Sequence, residues 1–279
     1  MAAQFEITSM ALFCDFENIA LGVRDAKYAH FDIRRVLERL LLKGSIVVKK
    51  AYCDWDRYKD FKATMHEAAF ELIEIPHVRQ SGKNSADIRM VVDALDLCYT
   101  KSHVDCFVII SGDSDFSPLV SKLRENNKYV IGIGVKDSTS DLLAANCDEF
   151  IFYDDLVREQ KPKRKQAEKK AAVKKTAAGT TKAAPAKGED KSEDDKRQDA
   201  LDFVVETVEA LITERGDEKI WGSLVKQTMK RRRPGFSESA YGYRSFKEMI
   251  EDAQKRNLLV MVRDEKTGQY TVRLAAGDE

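Results

Sequence analysis

The chain has 279 residues, and its 47 Lys and Arg balance 47 Asp and Glu, so the formal net charge is zero. Overall charge therefore singles out neither nucleic acid nor membrane, and the distribution of charge has to carry the argument. The opening MAAQFEITSM contains an acid and lacks the apolar run of about 7 to 15 residues that a secretory signal needs, and no stretch approaches the roughly 20 apolar residues of a membrane span.

A cytoplasmic protein without a membrane partner is the expectation. Cys14, Cys53, Cys98, Cys106 and Cys147 form no C-x-x-C pair and mostly sit among apolar neighbours, which fits buried reduced thiols. His30, His66, His77 and His103 fall on separate predicted elements without ligand spacing. At this length two domains are expected.

From Met10 to Leu156 short apolar runs alternate with amphipathic stretches. The predicted strands are Met10 to Cys14, Ser45 to Cys53, Glu71 to Ile75, Val104 to Ser111, Tyr129 to Val135 and Phe150 to Tyr153. Helices are predicted at Phe31 to Lys43, Lys59 to Ala69, Ser85 to Tyr99, Phe116 to Asn126 and Thr139 to Asn146. This alternation predicts an α/β fold, a doubly wound parallel sheet with helices on both faces and right-handed crossovers.

From Arg158 to Lys196 Lys, Ala, Thr, Glu and Asp dominate, and Val173 is the single large aliphatic residue. Such a segment cannot bury enough apolar surface to offset chain entropy, so a disordered basic linker is predicted. Residues 161–187 hold ten basic residues against Glu168 alone, a charge bias that gives the tether a weak attraction for phosphate.

Order resumes near Asp199. An amphipathic helix spans Leu201 to Arg215, a second follows Gly222, and a third runs from about Ser239 to Arg256. A hairpin of Leu258 to Val262 and Tyr270 to Leu274 closes around Lys266-Thr267-Gly268. Three helices and a hairpin predict a small winged helix. The expected domains are residues 1–157, a linker at 158–198, and residues 199–279.

Two acidic clusters stand at strand C-termini, Asp15-Phe16-Glu17-Asn18 after the first strand and Ser111-Gly112-Asp113-Ser114-Asp115 after the fourth. In doubly wound sheets ligands bind at that edge, at the switch point between strands that lead to opposite faces. With strand order 3-2-1-4-5, Asp15 lies beside Asp113 and Asp115. Converging carboxylates repel one another unless a cation is present, and hard oxygen ligands select Mg²⁺ or Mn²⁺. Gly112 permits a tight turn there. Asp87, near a helix start, supplies a fourth acid, although an acid at that place also suits the helix macrodipole.

These motifs, with Gly82-Lys83 and Phe116, resemble the successive signatures of NYN domains in the LabA-like branch, over roughly Leu12 to Leu156. The resemblance implies a PIN-like fold and a metal-dependent RNA nuclease. It places Asp15, Asp87, Asp113 and Asp115 around the metal, with Asn18 and Ser111 as polar support. Two readings of Lys83 stay open, a point charge that assists the phosphate and an idle lysine on an exposed loop. Asp93, about 240° of helical rotation from Asp87, is secondary. Two other readings stay open. One is a non-catalytic scaffold that binds RNA or protein. The other is a haloacid-dehalogenase-like phosphatase, whose Asp-x-Asp motif is broken by Glu17.

In the C-terminal segment, Lys219 to Leu224 with Pro234, Phe236, Tyr241-Gly242-Tyr243 and Phe246 is similar to OST-HTH, or LOTUS, domains. That resemblance implies RNA binding, including structured or G-rich RNA, with a protein partner as an alternative; single-stranded DNA remains a candidate substrate. Trp221, Leu224, Phe236 and Phe246 are read as core. Lys226, Lys230, Arg231, Arg232, Arg233, Arg244 and Lys247 form the expected phosphate-binding patch.

Overall fold

A computed structural model of the chain describes residues 7–28, 30–75, 85–158, 193–216, 219–264 and 269–275. The chain divides into two compact units, Met1–Ala178 and Gly179–Glu279.

The first unit is built on six parallel strands in the order β3-β2-β1-β4-β5-β6. They are β1 (Ser9–Asp15), β2 (Ser45–Cys53), β3 (Glu71–Glu74), β4 (Cys106–Ile110), β5 (Tyr129–Gly134) and β6 (Glu149–Phe152). The order 3-2-1-4-5, on which the meeting of Asp15 with Asp113 and Asp115 depends, is present, with β6 beside β5. Central strands lie between two apolar layers, and their residues alternate between them. Met10, Leu12 and Cys14 of β1 join one core, while Ala11 and Phe13 join the other. That double burial explains why β1 and β4 read as continuous apolar runs.

Helices α1 (Phe16–Asp25), α2 (Ile33–Lys43) and α3 (Lys59–Glu67) cover the first layer. Helices α4 (Ser85–Thr100), α5 (Ser117–Glu125) and α6 (Asp141–Asn146) cover the second. Helix direction therefore changes face between β1 and β4, which pair directly.

Helix α1 is absent from the predicted elements, because the acidic Asp15-Phe16-Glu17-Asn18 motif that follows the first strand is also the start of this helix. The Asp15 side chain is in fact the N-cap and accepts from the Asn18 backbone N–H at 3.3 Å. Strand β4 is shorter than predicted, since Val104 and Asp105 precede it and Ser111 leaves the ladder.

The second unit comprises α7 (Glu193–Arg215), α8 (Gly222–Arg232), α9 (Phe246–Lys255) and an antiparallel hairpin of β7 (Leu259–Arg263) and β8 (Tyr270–Leu274). Phe203, Val208, Val225, Met249 and Leu259 belong to its single core.

Helix α7 begins six residues ahead of Asp199, and Asp194 and Asp195 near its start complement the positive end of the helix dipole. The predicted third helix is broken. Residues Glu238–Tyr241 form a 3₁₀ turn, Gly242 takes φ 78°, and α9 starts only after Ser245 caps it. Phe236 and Phe246 are buried as expected, whereas Trp221 and Leu224 are half-buried. The Lys266-Thr267-Gly268 turn and residues 159–192 of the expected linker lie outside the described residues.

Candidate active site

The C-terminal ends of β1 and β4 are laced together by side chains. The Ser111 hydroxyl donates to Asp15 Oδ2 at 3.1 Å, and its oxygen accepts from the Asp113 backbone N–H at 3.2 Å. Asn18 Oδ1, on the first turn of α1, accepts from the Gly112 backbone N–H at 2.9 Å. Asp113 Oδ1 in turn caps a 3₁₀ turn, Ser114–Phe116, by accepting from the Asp115 N–H at 3.0 Å. Asn18 and Ser111 therefore hold the β4 loop against α1.

Gly112 has a different reason from the one its sequence position implied. A Cβ there would stand 2.5 Å from the Ser138 carbonyl oxygen, so glycine is required by close backbone approach. The Ser140 N–H donates to the Gly112 carbonyl at 2.9 Å across the same contact.

Helix α4 packs on β1, on β2 and on the 3₁₀ turn, which brings Asp87 into the same electrostatic neighbourhood. Burial pushes the Asp15 carboxyl up to about 7, and the charges of Asp87 and Asp113 add to this, against the Asn18 and Ser111 hydrogen bonds. Burial likewise pushes Asp87 up to about 6, helped by Asp113, Asp115 and Glu17. Asp15 is buried, Asp87 and Asp113 are half-buried, and Asp115 is exposed. All four sequence-predicted acids therefore share one field at one sheet edge. Lys83 lies outside the described residues.

This donor set is made of carboxylate oxygens without nitrogen or sulfur, which suits a hard divalent ion. Among the described residues, no three His, Cys, Asp or Glu side chains stand together as a ready-made metal cluster. The acids are neighbours that repel, and a cation would remove that repulsion.

Asp93 does other work. Burial disfavours its charge, but the Tyr52 hydroxyl at 2.9 Å and the Lys50 and Arg89 cations hold its carboxyl below the usual range. It fastens α4 to β2.

Two further residues escaped the sequence reading. Glu17 raises Asp87 and is paired with Arg57 at 3.0 Å. Arg57 sits just after β2, in residues 54–58, a segment fixed by Trp55. The Trp55 indole N–H donates to the Ile73 carbonyl at 3.1 Å, and its ring lies 5.0 Å from that of Phe16. Their position on the same C-terminal sheet edge was the available clue.

In the second unit the expected basic patch is only partly available. Lys226 pairs with Glu238 at 2.9 Å, and Lys247 with Glu251 at 3.6 Å. Arg232 donates to Thr207 Oγ1 and to Glu206, and its guanidinium lies over Phe203. Arg233 also lies over that ring, at 3.9 Å, and Arg231 is half-buried. Lys230 and Arg244 are exposed.

A parallel doubly wound sheet with acids gathered at its switch point defines the PIN-like class. Residues 9–154 match the model of the NYN domain, just over half of the chain, and the chain belongs to the NYN domain family. That family lies in the PIN-like nuclease superfamily, which ties the chain to nuclease-like, RNA-related chemistry. The chain is 24% identical over 160 residues to the meiosis regulator and mRNA stability factor 1 of Xenopus tropicalis, covering 57% of this chain and 9% of that protein. It is 27% identical over 143 residues to the uncharacterized protein MJ0482 of Methanocaldococcus jannaschii, covering 50% of this chain and 56% of the relative. A crystal structure of a protein of unknown function, VPA0982 from Vibrio parahaemolyticus, aligns at 26% identity and TM-score 0.48, covering 55% of this chain and 98% of that one. Among the described residues no helix is long and apolar enough to cross a membrane.

Proposed function

We propose that the first unit hydrolyses RNA phosphodiester bonds with Mg²⁺ or Mn²⁺, and that the second unit, read as a winged helix of the OST-HTH or LOTUS kind, captures the RNA. The observation that carries this reading is the coupling of four acids. Asp87 and Asp113 raise Asp15, while Asp113 and Asp115 raise Asp87. Asp15, Asp87, Asp113 and Asp115 would hold the ion. When bound, it would activate water and stabilise the oxyanions of attack and departure. Ser111 and Asn18 orient Asp15 and the β4 loop, and Arg57 offers a cation to a neighbouring phosphate of the substrate.

Incubating the protein with labelled RNA and single-stranded DNA, with Mn²⁺, Mg²⁺ or a chelator, tests the reading. Metal-dependent RNA cleavage that Asp15→Asn and Asp113→Asn each reduce at least about a hundredfold is expected. Equal cleavage by wild type and both variants would remove the proposed centre.

A second reading is an RNA- or protein-binding adaptor that does not cut, for which the exposed Lys230 and Arg244 of the second unit offer phosphate contacts. RNA binding without turnover under every metal condition would favour it. For the second unit, structured or G-rich RNA is the proposed ligand. Deleting residues from Ala200 onward should weaken RNA binding more than it slows cleavage at saturating RNA.

A further inference from the structure

Helix α4 buries Met90, Ala94, Leu97 and Cys98 against the sheet, yet its opposite side is also apolar. Ile88, Val92 and Tyr99 are exposed to 62%, 56% and 64%, and of the large apolar side chains left exposed among the described residues no other element carries more than two. With the half-buried Leu95 they follow spacings of four, three and four residues. That repeat is the seam of a helix that pairs with another helix, because it keeps one apolar stripe facing a partner. Ile88, Arg89, Val92 and Asp96 also line an open groove of about 490 Å³ along this side.

The charges beside the seam indicate what the partner is. Arg89 follows Ile88 by one residue and Asp96 follows Leu95 by one, so opposite charges occupy equivalent flanking positions one heptad apart. If two copies of α4 run antiparallel, Ile88 meets Tyr99 of the second copy and Val92 meets its Leu95. Arg89 then comes beside Asp96 of the second copy, and two-fold symmetry repeats the pair at the other end. Arg89 is 57% exposed and, among the described residues, its guanidinium is hydrogen-bonded through Nε to Asp93, so further N–H donors of its fork face outward toward a second carboxylate. The stripe is thus complementary to itself, in charge as well as in apolar spacing.

We propose that α4 is a self-association face that takes a second copy of this chain in an antiparallel two-fold pairing. A single helix pair buries less than the roughly 1,200 Å² at which standard interfaces begin, so the dimer is weak and forms at about 10 µM or above. Asp87 stands one residue before the seam. Pairing would therefore set the two acidic sites at opposite ends of the helix pair, about 20 Å apart along its axis.

Sedimentation equilibrium of the full chain, up to a few hundred micromolar, tests this. The average mass should climb from the 31.6 kDa of one chain toward twice that value. Val92→Glu should abolish the rise. Arg89→Asp and Asp96→Arg should each weaken the dimer by about tenfold, and the two together should restore it to within about threefold of wild type, because the symmetric pair is rebuilt with its signs exchanged. Circular dichroism melts of the same samples separate lost pairing from lost fold, and the charge swap decides the matter even where Val92→Glu does not fold. A protein that stays at one chain's mass throughout would overturn the proposal. So would a dimer that Val92→Glu leaves unchanged, or a double variant no tighter than either single one.

Discussion

The Ser111 hydroxyl reaches across from the end of β4 to the buried Asp15 carboxylate at the end of β1, a 3.1 Å bond that joins the two strands at the switch point. Asp15 nonetheless holds its proton to about 7, against an ordinary 3.8, because burial and the charges of Asp87 and Asp113 outweigh that bond. Between these values the folded chain binds more protons than the unfolded chain, so stability is full below about 4 and declines as pH rises through 7. The metal-free protein should therefore melt lower at pH 8 than at pH 5. Asp15→Asn removes the ionisation while keeping a good N-cap, and should stabilise the metal-free protein at pH 8 by up to about 4 kcal/mol while flattening its pH dependence. Thermal melts in chelator across this range check it; an equal pH slope in wild type and variant would contradict it.

Gly112→Ala should be costly despite its small size. The new Cβ would meet backbone atoms, Ser138 O at 2.5 Å and Thr139 Cα at 3.0 Å, so the loop must move rather than a side chain. A loss of about 1–3 kcal/mol and displacement of Asp113 are expected. Chemical denaturation, read with cleavage rate, measures both. A variant of wild-type stability and activity would show that the close approach is unimportant.

Arg57→Ala should act on the substrate rather than on the fold. The side chain is exposed and its ion pair with Glu17 adds little stability. RNA affinity should fall by about three- to tenfold and the salt dependence of binding should lose about one phosphate contact, with the melting temperature unchanged. Filter binding at several salt concentrations tests this, and an unchanged slope would count against a phosphate role.

The site was legible in the sequence to the extent that it rested on strand ends. Apolar runs stopping at Asp15 and Ser111 marked where carboxylates leave the sheet, whereas the pairing of β1 with β4 rested on the strand order 3-2-1-4-5 as a condition, which the sheet fulfils. Helix α1 was not legible, since its cap is the same aspartate that the motif assigns to chemistry. Glu17 and Arg57 were passed over because their significance lies in a contact between residues 40 apart in sequence. In the second unit, composition placed basic residues near one turn, but only side-chain geometry separates those spent on structure from those left exposed.

That separation predicts different outcomes within the basic patch. Arg232 is largely buried, bonded to Thr207 and Glu206, so Arg232→Ala should destabilise the second unit by about 1–3 kcal/mol. Lys230→Ala and Arg244→Ala should leave the melt unchanged and weaken RNA binding about two- to tenfold each. RNA binding unaffected by both would argue that this face does not contact RNA.

The proposed sharing of one divalent ion by Asp15, Asp87, Asp113 and Asp115 is open to calorimetric titration of Mn²⁺ into the full chain at pH 7.5. Saturable binding with proton release is expected, and it should weaken at least about tenfold in both Asp15→Asn and Asp87→Asn, which lie on different elements. Binding of equal strength in wild type and in both variants, or none in wild type, would contradict the shared site.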